Sequence, residues 1–334
     1  MKLKGNEKIL IVRHDRLGDL VLTLPIAWAL KQVYPDLMIE ILTSQYNSYI
    51  IKYADYVDRP LIADFNNKGN IAVGDLVSKM TRNNYNIVIF AKPDLRIAFA
   101  AYLAGIPLRL GTSRRAYSLL FNVRVDLPRR RSLMHEVDLN LKLIEHFGLA
   151  FSPNKVWPIL SASNEKSKLH VIPDDRYIVI HPGSKGSAAN WPSENYRRLI
   201  LELSKLIKVI ITGQDGIEIE HNENIINLIN KTDFAALIDV INSCSLFISG
   251  STGPLHIAAA LGRPVIGLYP DHPVLGPHRW GPRGKIATAI APDKQTGHKC
   301  RINIDGSCEC MKKIKVETVK QAALDILKTT ESIT

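Results

Sequence analysis

Apolar positions along this 334-residue chain fall into two alternating rhythms almost from end to end. Short β-branched runs predict strands at Ile9–Val12, Met38–Leu42, Pro60–Ala63, Ile87–Phe90 and Leu108–Leu110. Between and after them the spacing lengthens to a helical period, at Leu20–Val33, Val73–Met80, Arg96–Leu103 and His135–Phe147. The polar stretch Ser161–Asp175 breaks the rhythm and marks a connector. Beyond it, strands are predicted at Tyr177–Ile180, Val209–Thr212, Leu246–Ser249 and Val265–Tyr269. Helices are predicted at Ser193–Leu206, Ile217–Leu228, Phe234–Ser243, Gly253–Leu261 and Val316–Lys328. Alternation of this kind is the mark of βαβ units and parallel sheets. It implies two doubly wound α/β domains, residues 1–165 and 166–334. Ligands of such sheets bind at the carboxyl ends of the strands, so a cleft between the two domains is the expected site.

Composition adds a few constraints. Hydrophobic residues make up 46% of the chain, enough for packed cores and too many for a disordered segment. Lys and Arg outnumber Asp and Glu by 43 to 32, a formal charge of +11. That balance favours an anionic partner, whether nucleotide, acidic glycolipid, membrane surface or nucleic acid. Lys2, Lys4, Glu7 and Lys8 interrupt the start, so no signal peptide is expected. Gly105 and Pro107 keep the apolar stretch Ile97–Leu108 short of a membrane span. Four cysteines are sparse for a disulfide scaffold, and the expected compartment is a reducing cytoplasm.

Several strand-to-helix loops carry candidate chemistry. Arg13-His14-Asp15-Arg16-Leu17-Gly18-Asp19 directly follows the first strand. Asp19 there is either a helix N-cap or a carboxylate facing a ligand, and spacing alone favours the cap. With one glycine, the loop is no dinucleotide fingerprint, which weakens a dehydrogenase reading. His181-Pro182-Gly183-Ser184-Lys185-Gly186-Ser187-Ala188-Ala189-Asn190-Trp191-Pro192 is long for a plain βα connection. Its small residues let a backbone approach a diphosphate, with Lys185 as countercharge and Ser193 as the expected cap of the next helix. Ser249-Gly250-Ser251-Thr252-Gly253-Pro254-Leu255-His256 opens a helix whose start would attract phosphate, and Pro254 needs no donor there. Thr212-Gly213-Gln214-Asp215-Gly216-Ile217-Glu218 offers a carboxylate for a ribose diol, although solvated helix charge explains Glu218 equally well.

Eight arginines lie between Arg96 and Arg131 with no lysine and one acid, Asp126. The planar guanidinium suits phosphate and carboxylate, and Arg114, Arg115, Arg129, Arg130 and Arg131 are candidate contacts to an anionic ligand. No recognition helix, finger spacing or RNP-like aromatic motif supports a nucleic-acid partner. Cys300, Cys308 and Cys310, with His298 nearby, match no common zinc spacing. Free buried thiols, a redox-sensitive pair and a structural metal all remain open, the first leading.

Taken together, these motifs resemble glycosyltransferase family 9, the bacterial heptosyltransferases of lipopolysaccharide cores, over nearly the whole chain. The most specific matches are Leu17-Gly18-Asp19 with Val21-Leu22-Thr23-Leu24-Pro25, and His181-Pro182-Gly183-Ser184 with Asn190-Trp191-Pro192. A third is Ser251-Thr252-Gly253-Pro254-Leu255-His256 with Ala258-Ala259-Ala260-Leu261-Gly262, followed by His272-Pro273 and Gly276-Pro277. The resemblance implies a GT-B fold of two Rossmann-like domains facing a central cleft, an inverting mechanism, no catalytic metal and no required cofactor. Asp19 takes the position of the family's proposed general base. Ser184, Lys185, Glu218, Ser251, Thr252, Gly253, Pro254 and His256 would bind the donor, with ADP-heptose as the expected nucleotide sugar. The basic first domain would bind an anionic glycolipid, from the cytoplasm or as a peripheral protein at the inner membrane. Two residues depart from the family pattern. Ala189 replaces a lysine that bears on the diphosphate in many relatives, and Ser251 replaces an aspartate expected to contact the donor sugar. The departures keep two further readings open: another donor or a protein acceptor on the same scaffold, and a nucleotide-sugar-binding protein without turnover.

Overall fold

The computed structural model describes all residues except 64–70, 130–132, 152–155, 162–171, 174, 185, 187, 215, 221, 294–299, 304–305 and 332–334. It divides into two compact units, Met1–Ser161 and Ala162–Thr334. The division falls at the head of the polar connector, most of which lies outside the described residues.

The first unit is built on a parallel sheet of β1 (Lys8–Val12), β2 (Met38–Thr43), β3 (Arg59–Ile62), β4 (Ile87–Phe90), β5 (Leu108–Thr112) and β6 (Val123–Val125). Its order is β3-β2-β1-β4-β5-β6. Ile9 lies between Ile39 of β2 and Ile87 of β4, and Ile9–Val12 are fully buried. An apolar run without alternation is what a strand covered on both faces requires. The second unit repeats the plan with β7 (Tyr177–His181), β8 (Lys208–Ile211), β9 (Ile225–Asn227), β10 (Leu246–Gly250), β11 (Val265–Leu268) and β12 (Ala287–Ile290). The order is β12-β11-β10-β7-β8-β9. Counted within each unit, both sheets run 3-2-1-4-5-6, the doubly wound Rossmann order. The winding reverses between β1 and β4 in one unit and between β7 and β10 in the other.

Several elements differ from the sequence reading. The helix expected over Ile217–Leu228 does not form; residues 216–220 lack regular structure and Ile225–Asn227 is the edge strand β9. Ile217 and Ile219 alternate with Glu218 and Glu220, a two-residue period, and the Asn222 side chain accepts from the Asn224 N–H at 2.8 Å, a local turn that competes with helix. The helix expected over Leu20–Val33 is two, Leu17–Val21 and Leu24–Val33, with Pro25 in the first turn of the second. A proline inside one continuous helix would remove a donor and clash with the preceding turn. His135–Phe147 likewise resolves into an α-helix, Glu136–Leu141, and a tighter 3-10 turn, Ile144–Phe147. The short edge strands β6 and β12 escaped prediction. Ser193 is the first helical residue, and Pro192 stands at the N-cap in its place.

Glu40 is buried among the first three strands, 1% exposed, within 2.9 Å of both Lys8 Nζ and Arg59 Nε. Tyr85 Oη donates to it at 2.5 Å. Among the described residues, no helix is long and apolar enough to cross a membrane.

Candidate active site

The loop after β1 delivers an ionic cluster to the winding reversal of the first sheet. Arg13 follows the last buried strand residue, and its backbone N–H donates to Leu42 of the neighbouring strand at 3.0 Å. Its guanidinium is buried and held by three carboxylates. Nε and Nη2 donate to Asp15 at 2.7 and 3.3 Å, Nη1 donates to Glu136 at 3.2 Å, and Nη2 also donates to Asp19. Lys92, just beyond β4, lies 3.4 Å from Asp15. Arg129 donates to the far side of the cluster, to Glu136 at 3.0 Å and Asn140 at 2.8 Å. Asn140 in turn donates to the Leu22 carbonyl at 2.9 Å, fixing this network to the turn between the first two helices.

Asp19 is therefore not the N-cap that spacing favoured. The cap is Arg16, without a side-chain bond, and Asp19 is the third residue of the helix Leu17–Val21. Burial pushes its carboxyl up to about 6, helped by Asp15 and Glu136 and opposed by Arg13 and Lys92. Asp15 meets the same burial, yet Arg13 and Lys92 outweigh it and hold its carboxyl below the ordinary value. Adjacent carboxylates are thus driven apart, one locked as an anion and one poised to exchange a proton near neutrality. Such a division is what a general acid–base site requires, and it also arises in structural ion-pair networks.

The arginine block is less uniformly free than its composition suggests. Arg114 is exposed and makes a two-pronged ion pair with Asp126, the one acid of the block, including a 2.8 Å contact. Arg109 and Arg124 donate to backbone carbonyls of the turn between β5 and β6. Arg129 is built into the Glu136 network, Arg115 is exposed, and Arg130 and Arg131 lie outside the described residues.

In the second unit, the loops after β7 and β10 meet the corresponding reversal. Gly183 takes a φ of 75°, in the left-handed region that glycine tolerates. Ser184 Oγ donates to the Ala188 carbonyl at 2.9 Å and accepts from the Ala188 N–H at 3.3 Å, closing the loop on itself. Lys185 lies outside the described residues. Trp191 is a core residue: its Nε1 donates to the Ile314 carbonyl at 3.0 Å and its ring meets Tyr196 edge-on. Thr252 caps the helix Gly253–Ala260 by accepting from the Leu255 N–H, and its hydroxyl lies 2.9 Å from Ser249 Oγ. Pro254 sits in the first turn, as expected. Ser251 is half-buried just before the Thr252 cap. His256 is buried, which lowers its pKa to about 4 and leaves the ring neutral at physiological pH.

A cavity of about 550 Å³ opens beside the β7 loop. Pro182, Gly183, Gly186 and Asn190 form one side, and Gly216, Ile217, Ser307 and Lys312 lie around the rest. Glu218 is exposed next to that lining, whereas Ser251–His256 do not contribute to it. None of the described candidate donor residues lines the cavity itself: Ser184 and Glu218 are chain neighbours of the lining residues Gly183 and Ile217, and Ser251–His256 sit at the helix start after β10.

Arg13, Lys92, Glu136 and Lys312 were not singled out from sequence. Arg13 had a usable signal, a charged residue placed directly after a buried strand. Glu136 is 123 positions from Arg13 and carries no local signal of the pairing.

Two Rossmann-type units, each with candidate chemistry at the carboxyl end of its first strand, make up the GT-B fold of nucleotide-sugar glycosyltransferases. The profile of glycosyltransferase family 9 (heptosyltransferase) matches residues 73–305, and the chain belongs to that family. A Haemophilus influenzae protein named only as a glycosyltransferase is 27% identical over 322 residues, covering 90% of this chain and 92% of its own. Lipopolysaccharide heptosyltransferase 2 of Escherichia coli K12 is 25% identical over 296 residues, covering 81% and 85%. The structure of E. coli ADP-heptose lps heptosyltransferase II superposes with a TM-score of 0.75 at 20% identity, covering 97% of this chain and 99% of that one.

Proposed function

We propose that this glycosyltransferase moves heptose from ADP-heptose to an anionic lipopolysaccharide-core acceptor with inversion at the anomeric carbon. The observation that carries the mechanism is the raised, buried carboxyl of Asp19 beside the locked anion Asp15. In this reading Asp19 takes the proton of the acceptor hydroxyl as its oxygen attacks the anomeric carbon, and the sugar–phosphate bond breaks on the opposite face. The departing diphosphate gathers negative charge, which the N-terminus of the helix Gly253–Ala260 and Lys185 offset. Lys312 at the cavity is a further cation within the second unit. Glu218 accepts from the ribose diol, and Ser184, Ser251, Thr252, Pro254 and His256 shape the donor pocket. Arg13 is a positioning residue, keeping Asp19 directed and Asp15 ionised. The acceptor's anionic groups fall to Arg115, Arg130 and Arg131, joined by Arg114 and Arg129 when their present partners yield. No cofactor enters this scheme, and the cytoplasm, or the cytoplasmic face of the inner membrane, is where both substrates would meet.

The test is release of ADP from ADP-heptose in the presence of a heptose-acceptor core oligosaccharide, with the anomeric configuration of the product read by NMR. Acceptor-dependent ADP release with inverted product is expected. No product from ADP-heptose, with turnover of a different nucleotide sugar in a parallel panel, would move the assignment to another donor. Ser251 and Ala189 are the specific residues that favour running that panel. Binding of ADP-heptose without any turnover would favour a binding protein instead.

A further inference from the structure

Three sulfur atoms converge at one point of the second unit, and one of them belongs to Cys308, which lines the cavity. Cys308 Sγ lies 2.8 Å from Cys310 Sγ and 3.1 Å from Cys300 Sγ, and Cys300 and Cys310 are 3.2 Å apart. These separations are longer than the roughly 2.05 Å of a disulfide. All three pairs are close together, so no one pair is singled out. A disulfide would use two of the sulfurs and strand the third. A single ion uses all three: at a metal–sulfur distance of about 2.3 Å, an ion standing about 1.5 Å above the plane of this triangle touches every sulfur.

The burial of the group supports the same reading. Cys308 and Cys310 are buried and Cys300 is partly exposed, which leaves one direction open for a fourth ligand. The fourth cysteine, Cys244, is buried and does not join the group.

We propose that Cys300, Cys308 and Cys310 bind a soft divalent cation, zinc in the first place, as a structural centre of the second unit. Thiolate sulfur selects such ions over magnesium or calcium. The centre fastens a segment that forms part of the cavity wall. Gly306 accepts the Asn190 N–H at 2.8 Å, and its φ of 81° brings it so close to Asn190 that a side chain would collide with the amide. Ser307, Cys308 and Lys312 then line the cavity together with Asn190 and Trp191. Resting on the proposed donor role of that cavity, loss of the ion also weakens ADP binding, while the Asp19 chemistry stays in place.

Protein purified under reductant and desalted is assayed for metals by mass spectrometry, for thiols by titration before and after denaturation, and for intact mass. About one thiophilic ion per chain is expected, released by a mercurial reagent that caps the three thiols. Cobalt substitution should yield thiolate-to-metal charge-transfer absorption. Cys308→Ser and Cys310→Ser should lose the ion, Cys244→Ala should keep it, and the mercurial release on unaltered protein stands even where a serine variant fails to fold. Metal far below stoichiometry under these conditions would overturn the proposal. So would an intact mass two hydrogens light without metal, or an ion retained in both serine variants. None of these readouts depends on which sugar is transferred.

Discussion

Replacing Asp19 with Asn separates chemistry from stability, because the two should move in opposite directions. Burial raises the Asp19 carboxyl from 3.8 to about 6, so the folded chain holds that proton more tightly than the unfolded chain. The contribution of this group to stability is therefore fully present below 3.8 and is lost as pH rises through about 6. At about 1.36 kcal/mol per decade, the ionised form costs about 3 kcal/mol at neutral pH. Asn carries no charge and escapes that cost. The attraction of Arg13 is already inside that figure; what remains as an offset is the amide NH2 that replaces one carboxylate oxygen and leaves an Arg13 donor without its acceptor, about 1–2 kcal/mol. The net expectation is a gain of about 1–2 kcal/mol at pH 7.5, or a rise in Tm of about 2–8 °C. Turnover should fall by roughly 10²–10⁴-fold, since Asn cannot accept the acceptor's proton. The parent's kcat/KM should climb with pH through an inflection near 6, and that limb should vanish from the residual activity of the variant. Thermal melting across pH 4–8 and steady-state kinetics on the same preparations measure all three effects. A variant with near-parent kcat, or one that melts lower while keeping the acid limb, would refute the reasoning.

Asp15→Asn should behave in the opposite way. Its depressed carboxyl contributes stability above the ordinary carboxylate range that is lost on acidification, so the variant should melt lower at pH 7.5, by about 1–2 kcal/mol, and keep the acid limb. Gly253→Val crowds the helix start capped by Thr252, and calorimetry should show ADP binding at least about tenfold weaker; unchanged affinity would remove this turn from the donor site. The Arg114→Gln, Arg115→Gln double variant should raise acceptor KM several-fold at constant donor KM, and a flat acceptor KM would make the pair a solvated face. Glu40→Gln removes the carboxylate shared by Lys8 and the half-exposed Arg59, both of which can turn to water, so denaturant unfolding should show a loss of about 1–2 kcal/mol with kcat preserved.

Fold and site were legible in the sequence to different degrees, for physical reasons. Ile9–Val12 and Ile87–Phe90 announce themselves as buried parallel strands because nothing polar interrupts them. The edge strands Val123–Val125 and Ala287–Ile290 are short and partly exposed, and neither burial nor alternation marks them. Ile217–Leu228 misled because spaced isoleucines fit a helical face as well as an extended edge, and the turn at Asn222 decides between them only through a side-chain bond. Asp19 was found by its motif, but its raised carboxyl depends on Glu136 as well as its own loop, and no local pattern encodes that meeting. Arginine counts likewise could not separate Arg129, committed to Glu136, from the exposed Arg115.

The repeated 3-2-1-4-5-6 winding has a consequence for how such chains diversify. Each half carries its own reversal point and its own loops at the carboxyl ends of its strands. Both departures from the family pattern, Ala189 and Ser251, fall in the second half, while the Leu17-Gly18-Asp19 motif of the first half is intact. If the first unit reads the acceptor and the second the donor, as proposed, ancestry is best traced half by half: a tree built on residues 1–161 would then group chains by acceptor, and one built on residues 162–334 by donor sugar.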